Sequence, residues 1–144
     1  MFEKYTKILI NLAKKASSEG EVPISAIAVQ NGEIIAKAHN KTEKNKDKTA
    51  HAEMLLIRKL QKKFGHSNFI NEKISIYTSL QPCCMCMAAI SACGFIAVFY
   101  LLEEKKFGGQ RIFLNNSAYK KVEMWHIENE EYEQILKGFF QKLR

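Results

Sequence analysis

His51-Ala52-Glu53 and, later in the chain, Pro82-Cys83-Cys84-Met85-Cys86 hold the side chains best suited to chemistry. An imidazole and two thiols are zinc ligands by type. Three protein ligands leave a fourth coordination position for water, which is the pattern of a catalytic zinc. Cys83 and Cys86 are three apart at the start of a helix, so their sulfurs share a face and reach one ion. The N–H groups and dipole at that helix end favour ionised thiols. Glu53 adds a general base for a zinc-activated water, whose pKa falls to about 7. Residues two apart on a regular helix point in nearly opposite directions, so His51 and Glu53 meet only beyond its N-terminal end. The prediction is two helix N-termini facing one another across the zinc. A lone C-x-x-C is a weak signal, shared by redox and structural sites; both halves in this order are far more specific. The alternative is a closed structural site with Cys84 or Cys93 as fourth ligand. Cys84 is at the wrong helical angle, and a structural zinc has no use for Glu53. His39, His66 and His126 read as strand-end or surface histidines.

The elements that must position these residues are legible from periodicity and breakers. Phe2, Tyr5, Leu9, Leu12, Ala13 and Ala16 fall at helical spacing. Ser17-Ser18-Glu19-Gly20 ends that helix, and Pro23 turns the chain into a sheet. Ile24–Gln30 and Ile34–Ala38 are β-branched runs joined by Asn31-Gly32, a strong two-residue hairpin signal. After a lysine-bearing polar loop, 40–48, a helix is predicted from Thr49 to Phe64 with Thr49 as its cap. Ile74–Ser79 reads as a strand, and Pro82 as the first residue of a buried helix that Gly94 closes. Phe95–Leu102 is an apolar strand and Gly108-Gly109 a turn. Residues 111–126 are the least readable, with a short helix predicted around Tyr119 and a strand over Val122–Ile127. Glu130–Arg144 closes the chain as a helix with Tyr132, Ile135, Leu136, Phe139 and Phe140 on one side. Strands interleaved with helices give an α/β class: a hairpin entering a mixed sheet with helices on both faces.

A chain of 144 residues is read as one domain. Four cysteines within Cys83–Cys93 make a poor disulfide framework, and reduced thiols in the cytoplasm suit metal binding. No signal peptide opens the sequence. From Ile74 to Leu102 no residue is charged, a length that could span a bilayer. Gln81, Pro82 and Gly94 interrupt the stretch, so it reads as strand, helix and strand inside a sheet covered on both faces. The net charge of +7 favours an anionic partner, with RNA the obvious one, although many small proteins are basic for solubility alone.

H-x-E followed by P-C-x-x-C is a recognised signature of the zinc nucleobase deaminases. Gly20-Glu21-Val22-Pro23, Asn40, Asp47-Lys48-Thr49-Ala50-His51-Ala52-Glu53 and Ser79-Leu80-Gln81-Pro82-Cys83-Cys84-Met85-Cys86 resemble, more narrowly, the bacterial tRNA-specific adenosine deaminases. The likeness covers roughly residues 2–110 and extends to the tail with Phe139-Phe140. It implies a three-layer α/β/α cytidine deaminase-like fold with a five-stranded mixed sheet, residues 1–144 forming the deaminase domain. It implies a hydrolase that converts the wobble adenosine of a tRNA anticodon stem-loop to inosine. A cytoplasmic homodimer with one zinc per subunit follows, and no membrane partner. His51, Cys83 and Cys86 then hold the zinc. Glu53 moves a proton from water to the ring nitrogen and on to departing ammonia. By position, Asn40 contacts the flipped nucleoside, Val22 and Pro23 line the base pocket, and the backbone of Ala52 meets the ring. Lys106 meets RNA, and Phe139 and Phe140 sit beside the anticodon loop. Read from residues alone, Val22 and Pro23 are turn residues and Lys106 a solvated charge. The two phenylalanines are then a helix's core face, the usual place for aromatic residues at helical spacing.

The chain departs from the family pattern at Ser25 (glycine), Lys48 (proline), Gln81 (glutamate), Gly94 (arginine) and Leu101-Leu102 (Gly-Ala). These changes spare the ligands and Glu53. By the resemblance they border the pocket or the dimer face, where RNA specificity would be set, and so bear on substrate choice. Deamination of a free base, nucleoside or nucleotide of the guanine or cytosine type is the competing function. A zinc- and RNA-binding role without catalysis is a third, against which Glu53 argues.

Overall fold

The computed structural model describes residues 2–109 and 122–143. Helix α1 (Phe2–Ser18) precedes the hairpin β1 (Ser25–Gln30) and β2 (Glu33–His39). Helix α2 (Ala52–Phe64), β3 (Ser75–Leu80), α3 (Cys84–Cys93), β4 (Ala97–Leu102), β5 (Glu123–His126) and α4 (Glu130–Lys142) follow. The strands form a five-stranded sheet in the order β2-β1-β3-β4-β5. β1 runs antiparallel to both neighbours, whereas β3, β4 and β5 are parallel.

Alternation along the central strands divides the core in two. Ala26, Ala28, Ile76, Val98 and Tyr100 face a cluster with Leu56, Leu60, Met87 and Ile90 of α2 and α3. Ile27, Val29, Tyr77 and Leu101 face the opposite cluster, with Tyr5, Leu9 and Ala13 of α1 and Tyr132 of α4. With both faces covered, β1 reads as an unbroken apolar run, as buried strands do. The uncharged stretch 74–102 is therefore sheet interior and one buried helix. Among the described residues no helix is long and apolar enough to cross a membrane.

The Asn31-Gly32 hairpin is as expected. Both residues have positive φ, 51° and 78°, which a two-residue turn of matching twist requires. Two helix starts differ from expectation. Thr49 does not cap α2: its N–H and hydroxyl both bond the Asp47 carboxylate at 2.8 and 2.7 Å, and His51 takes the N-cap position. A local turn closed by an Asp side chain outcompetes the helix for those residues. Likewise Pro82 precedes α3 instead of opening it, and Cys83 is the N-cap. The helix predicted around Tyr119 lies outside the described residues.

Strand directions bring every candidate site segment to one edge of the sheet. β3, β4 and β5 end there and lead into 81–86, 103–109 and α4 respectively. Antiparallel β1 begins there, next to Val22 and Pro23, and β2 ends there at His39. The crevice outside the carboxyl ends of parallel strands is where sheets of this kind bind ligands.

Thr78 lies in the middle of β3, and its hydroxyl is the one buried side-chain oxygen or nitrogen among the described residues without a hydrogen-bond partner. An unsatisfied buried hydroxyl costs stability that a methyl group of similar shape does not. Thr78→Val is therefore expected to raise the unfolding free energy by about 1 kcal/mol in urea titration. A loss of stability of that size would show that the hydroxyl is paired.

Candidate metal centre

His51, Cys83 and Cys86 converge, with their ligand atoms all within 4.8 Å of one another. His51 Nδ1 lies 3.7 Å from Cys83 Sγ and 3.6 Å from Cys86 Sγ. Both sequence halves meet through helix N-termini, His51 capping α2 and Cys83 capping α3. The extended backbone of His51, φ −67° and ψ 152°, takes it off the helical lattice. That is how residues 51 and 53 point to one place despite their spacing.

Glu53 is buried at 3% exposure, and the Cys86 thiol donates to its Oε2 at 3.5 Å. Burial pushes its carboxyl up to about 7, against the pull of the His51 ring. A hydrogen bond from Cys86 holds the Cys83 thiol down at about 4, and His51 reinforces it. The N–H of Cys86 at the helix end also favours that thiolate, though no side-chain cap bond closes there. Cys86 is raised in turn, first by its bond to Cys83 and then by burial. His51 is raised chiefly by Cys83, with a smaller contribution from a backbone bond to Lys48. Nothing in the structure explains lysine at position 48.

The donor set fits a divalent zinc-like cation. Bond lengths of about 2.0 Å to nitrogen and 2.3 Å to sulfur in tetrahedral geometry place donors roughly 3.5–3.8 Å apart. The two measured nitrogen–sulfur separations fall in that window. Among the described residues no fourth His, Cys, Asp or Glu joins the cluster. Cys84 is exposed, with its thiol toward the Phe107 carbonyl, and Cys93 is buried at the far end of α3. His39 and His126 sit at strand ends, and exposed His66 faces Glu72, so none competes for the ion.

The surrounding residues fall into a near and a far group. Asn40 is buried beside the cluster's loop: its N–H bonds Ile24 O, and Lys41 N–H bonds Ala50 O next to His51. Ala52 opens α2 and is fully buried. Val22 is half-buried; buried Pro23 offers its carbonyl to the Tyr132 hydroxyl at 2.9 Å. Lys106 lies on the 103–109 segment, its ammonium 5.2 Å above the Phe107 ring. That segment is held against the cluster by Gly109 N–H to Pro82 O and a bridge between Cys83 and Gly108. A Cβ on Gly109 would come within 2.8 Å of Cys83 O and the Met87 side chain, so only glycine permits the approach. Phe139 and Phe140 depart from the packing expectation. They meet each other edge to face at 5.5 Å, Phe140 is 46% exposed, and neither joins a core cluster. On α4 the contacts with the core cluster stop at Leu136.

Two residues at this edge escaped the sequence reading. Glu21 is fully buried and accepts N–H bonds from Glu43 and Lys44 at 3.0 and 2.8 Å, fixing the loop that leads to His51. Tyr132, read as one more apolar contact of α4, ties that helix to Pro23 and is near enough to Glu53 to feel its charge. An acid beside Val-Pro and a tyrosine on a helix face carry no local mark of such roles. The departures also find places. Ser25 is buried and bonds Leu9 O at 2.6 Å, joining β1 to α1. Gln81 Oε1 accepts from Glu104 N–H at 3.0 Å, holding the segment that carries Lys106. Gly94 closes α3 with φ +86° and a close approach to Ile70, a conformation that strains any larger residue. Leu101 is core. Ser25 and Leu101 are thus buried positions.

Three donors, an open coordination position and a buried carboxylate at the end of a parallel sheet define a metal-dependent hydrolase more closely than a structural zinc knot. Residues 2–144 match the family model of the MafB19-like deaminases. The tRNA-specific adenosine deaminase of Aquifex aeolicus is 37% identical over 99% of this chain and 95% of its own length. That of Bacillus subtilis is 35% identical over 99% and 90%. A solved structure from work on A-to-I editing by tRNA:A34 deaminases superimposes with a TM-score of 0.80 at 29% identity, covering 87% of this chain and 98% of that one. The chain belongs to the MafB19-like deaminases and, among them, to the tRNA-specific adenosine deaminase family, with its cytidine deaminase-like fold.

Proposed function

We propose that this protein is a zinc-dependent hydrolase that converts adenosine to inosine at the wobble position of a tRNA. The observation that carries the reading is the meeting of His51 Nδ1 with both sulfurs, with the buried Glu53 carboxylate beside Cys86. Zinc held by His51, Cys83 and Cys86 supplies a Lewis acid that acidifies water. In the reaction a water oxygen bonds to C6 of adenine, the C6–N bond breaks, and ammonia leaves. Glu53 takes the water's proton, passes it to the adjacent ring nitrogen, and delivers a proton to the departing amine. Burial excludes bulk water from this carboxyl, so protons stay on the reaction path.

Asn40, Val22, Pro23 and the Ala52 backbone hold the flipped nucleoside in this reading, and Lys106 contacts the RNA. Their common place at one sheet edge supports those roles. Half-buried Phe139 and exposed Phe140 offer aromatic faces to unstacked bases, the general means by which single-stranded RNA is held. The reading includes a cytoplasmic homodimer with one zinc per subunit, supported by the family resemblance.

The deciding experiment incubates zinc-loaded protein with a tRNA bearing A34 and, separately, with guanine, cytosine and cytidine. Inosine at the wobble position is the expected product. Ammonia from the small substrates alone would reassign the protein to free-base or nucleoside deamination. No turnover despite bound zinc would leave a binding role.

A further inference from the structure

Six of the chain's 22 lysines and arginines gather around one concavity of the fold. β2 is the edge strand, and beside it, between α1 and α2, runs an open groove of about 500 Å³. Lys15 of α1, Lys37 of β2, Lys41 of the following loop, and Arg58, Lys59 and Lys62 of α2 line it, and no carboxylate does. Asp47 approaches Arg58 at only 4.0 Å, and Glu19 lies 3.7 Å from His39 at the groove's end. Among the described residues, none of the five lysines pairs with a carboxylate. Lys59 donates to the Lys37 carbonyl at 2.5 Å, which satisfies a donor without neutralising the charge. The cations also act on one another: after burial, Lys41 and Lys15 are what disfavour the charged form of Lys59.

Gathering like charges costs free energy, and two bland causes fall short of explaining it. Edge strands carry lysine to block pairing with other sheets, which accounts for Lys37 alone. Solubility calls for charge anywhere, not for six cations from three elements and a loop around one concavity. The groove is also tied to the metal centre through the chain. Lys41 N–H bonds Ala50 O one residue before His51, and α2 runs from His51 along the groove wall. At about 1.5 Å rise per residue, Lys62 lies roughly 16 Å along that helix from His51.

We propose that the groove on the β2 edge binds the phosphodiester backbone of the RNA whose base enters the metal centre, several nucleotides away from that base. The inference rests on the RNA-substrate reading above and adds to it a second, sequence-independent anchoring surface. A polyanion of regular charge spacing fits better than a protein partner, because the cores of protein interfaces are depleted in lysine.

The test is the triple variant Lys15→Ala, Lys37→Ala, Lys62→Ala, all exposed positions outside the catalytic machinery. Binding of an A34 tRNA, and of the same tRNA with G34 that cannot be deaminated, is followed by fluorescence anisotropy across a salt series. Losing three phosphate contacts is expected to weaken both Kd values about tenfold or more near 0.15 M salt, and to flatten the salt slope by roughly 2. The rate at saturating tRNA should hold. Unchanged Kd and slope in a variant that melts like wild type would overturn the proposal. If the triple variant melts early, Lys62→Glu makes the same comparison with one exposed change. Failure of the deaminase reading looks different: wild-type protein then forms no inosine, whatever the groove variants do to binding.

Discussion

Glu53→Ala is expected to keep its zinc and to deaminate roughly 10²- to 10⁴-fold more slowly than wild type, the range over which a positioned general acid–base acts. Two observations support this separation of binding from turnover. Glu53 is not among the three clustered donors, so its loss leaves the ligand set whole. It is also buried, and Tyr132, an ionisable neighbour outside the ligand set, is held in its neutral form chiefly by burial. Glu53→Gln should be as slow, since an amide keeps the shape but accepts no proton. A buried carboxyl disfavours the folded state, so neither variant should melt below wild type. Zinc content by atomic spectroscopy, inosine formation and a melting curve test all of this together. Turnover within about fivefold of wild type in Glu53→Ala would remove the carboxylate from the mechanism.

Cys86→Ser carries the second large effect, on metal affinity. Removing an outer partner of a ligand typically costs about 10- to 100-fold in affinity, so removing a sulfur ligand should cost more than about 100-fold, and activity should fall with it. Folding is linked to binding. Metal at 100 times Kd adds about 2.7 kcal/mol, which for a domain of this size raises Tm by roughly 8 °C. Wild type should show that rise on zinc addition and lose it to a chelator; Cys86→Ser should show neither. Exposed Cys84 lies outside the cluster, so Cys84→Ser should behave as wild type. The pH dependence has a definite sign. Cys86 is raised by Cys83 and by burial, so it must give up a proton to bind metal. Zinc affinity therefore weakens as pH falls, because protons and metal compete for the sulfur. An affinity independent of pH between mildly acidic and mildly alkaline solution would contradict that account.

The chemistry was legible in the sequence because its signals are local. His51 to Glu53 and Cys83 to Cys86 each lie within one helical turn, and no common structural motif requires both. Helical spacing marked α1, where one face is buried, and short apolar runs marked β1, β3 and β4, where both faces are. Helix starts were less legible, since the Asp47–Thr49 turn and the αN-terminus at His51 compete within the same five residues. The buried contacts of Ser25 and Leu101 carried no local mark either, because their partners lie on other elements.

What the amino-acid order determined by itself is which groups are present and how each short motif is built. Only the tertiary structure decided that the two motifs face each other, through strands whose directions collect five separated segments at one sheet edge. It also made His51 a helix cap with extended backbone, without which positions 51 and 53 diverge. Glu21, Tyr132 and the six groove cations gained their surroundings in the same way. Each touches groups far off in the chain, and such contacts depend on strand order and helix placement, which no window of neighbouring residues encodes.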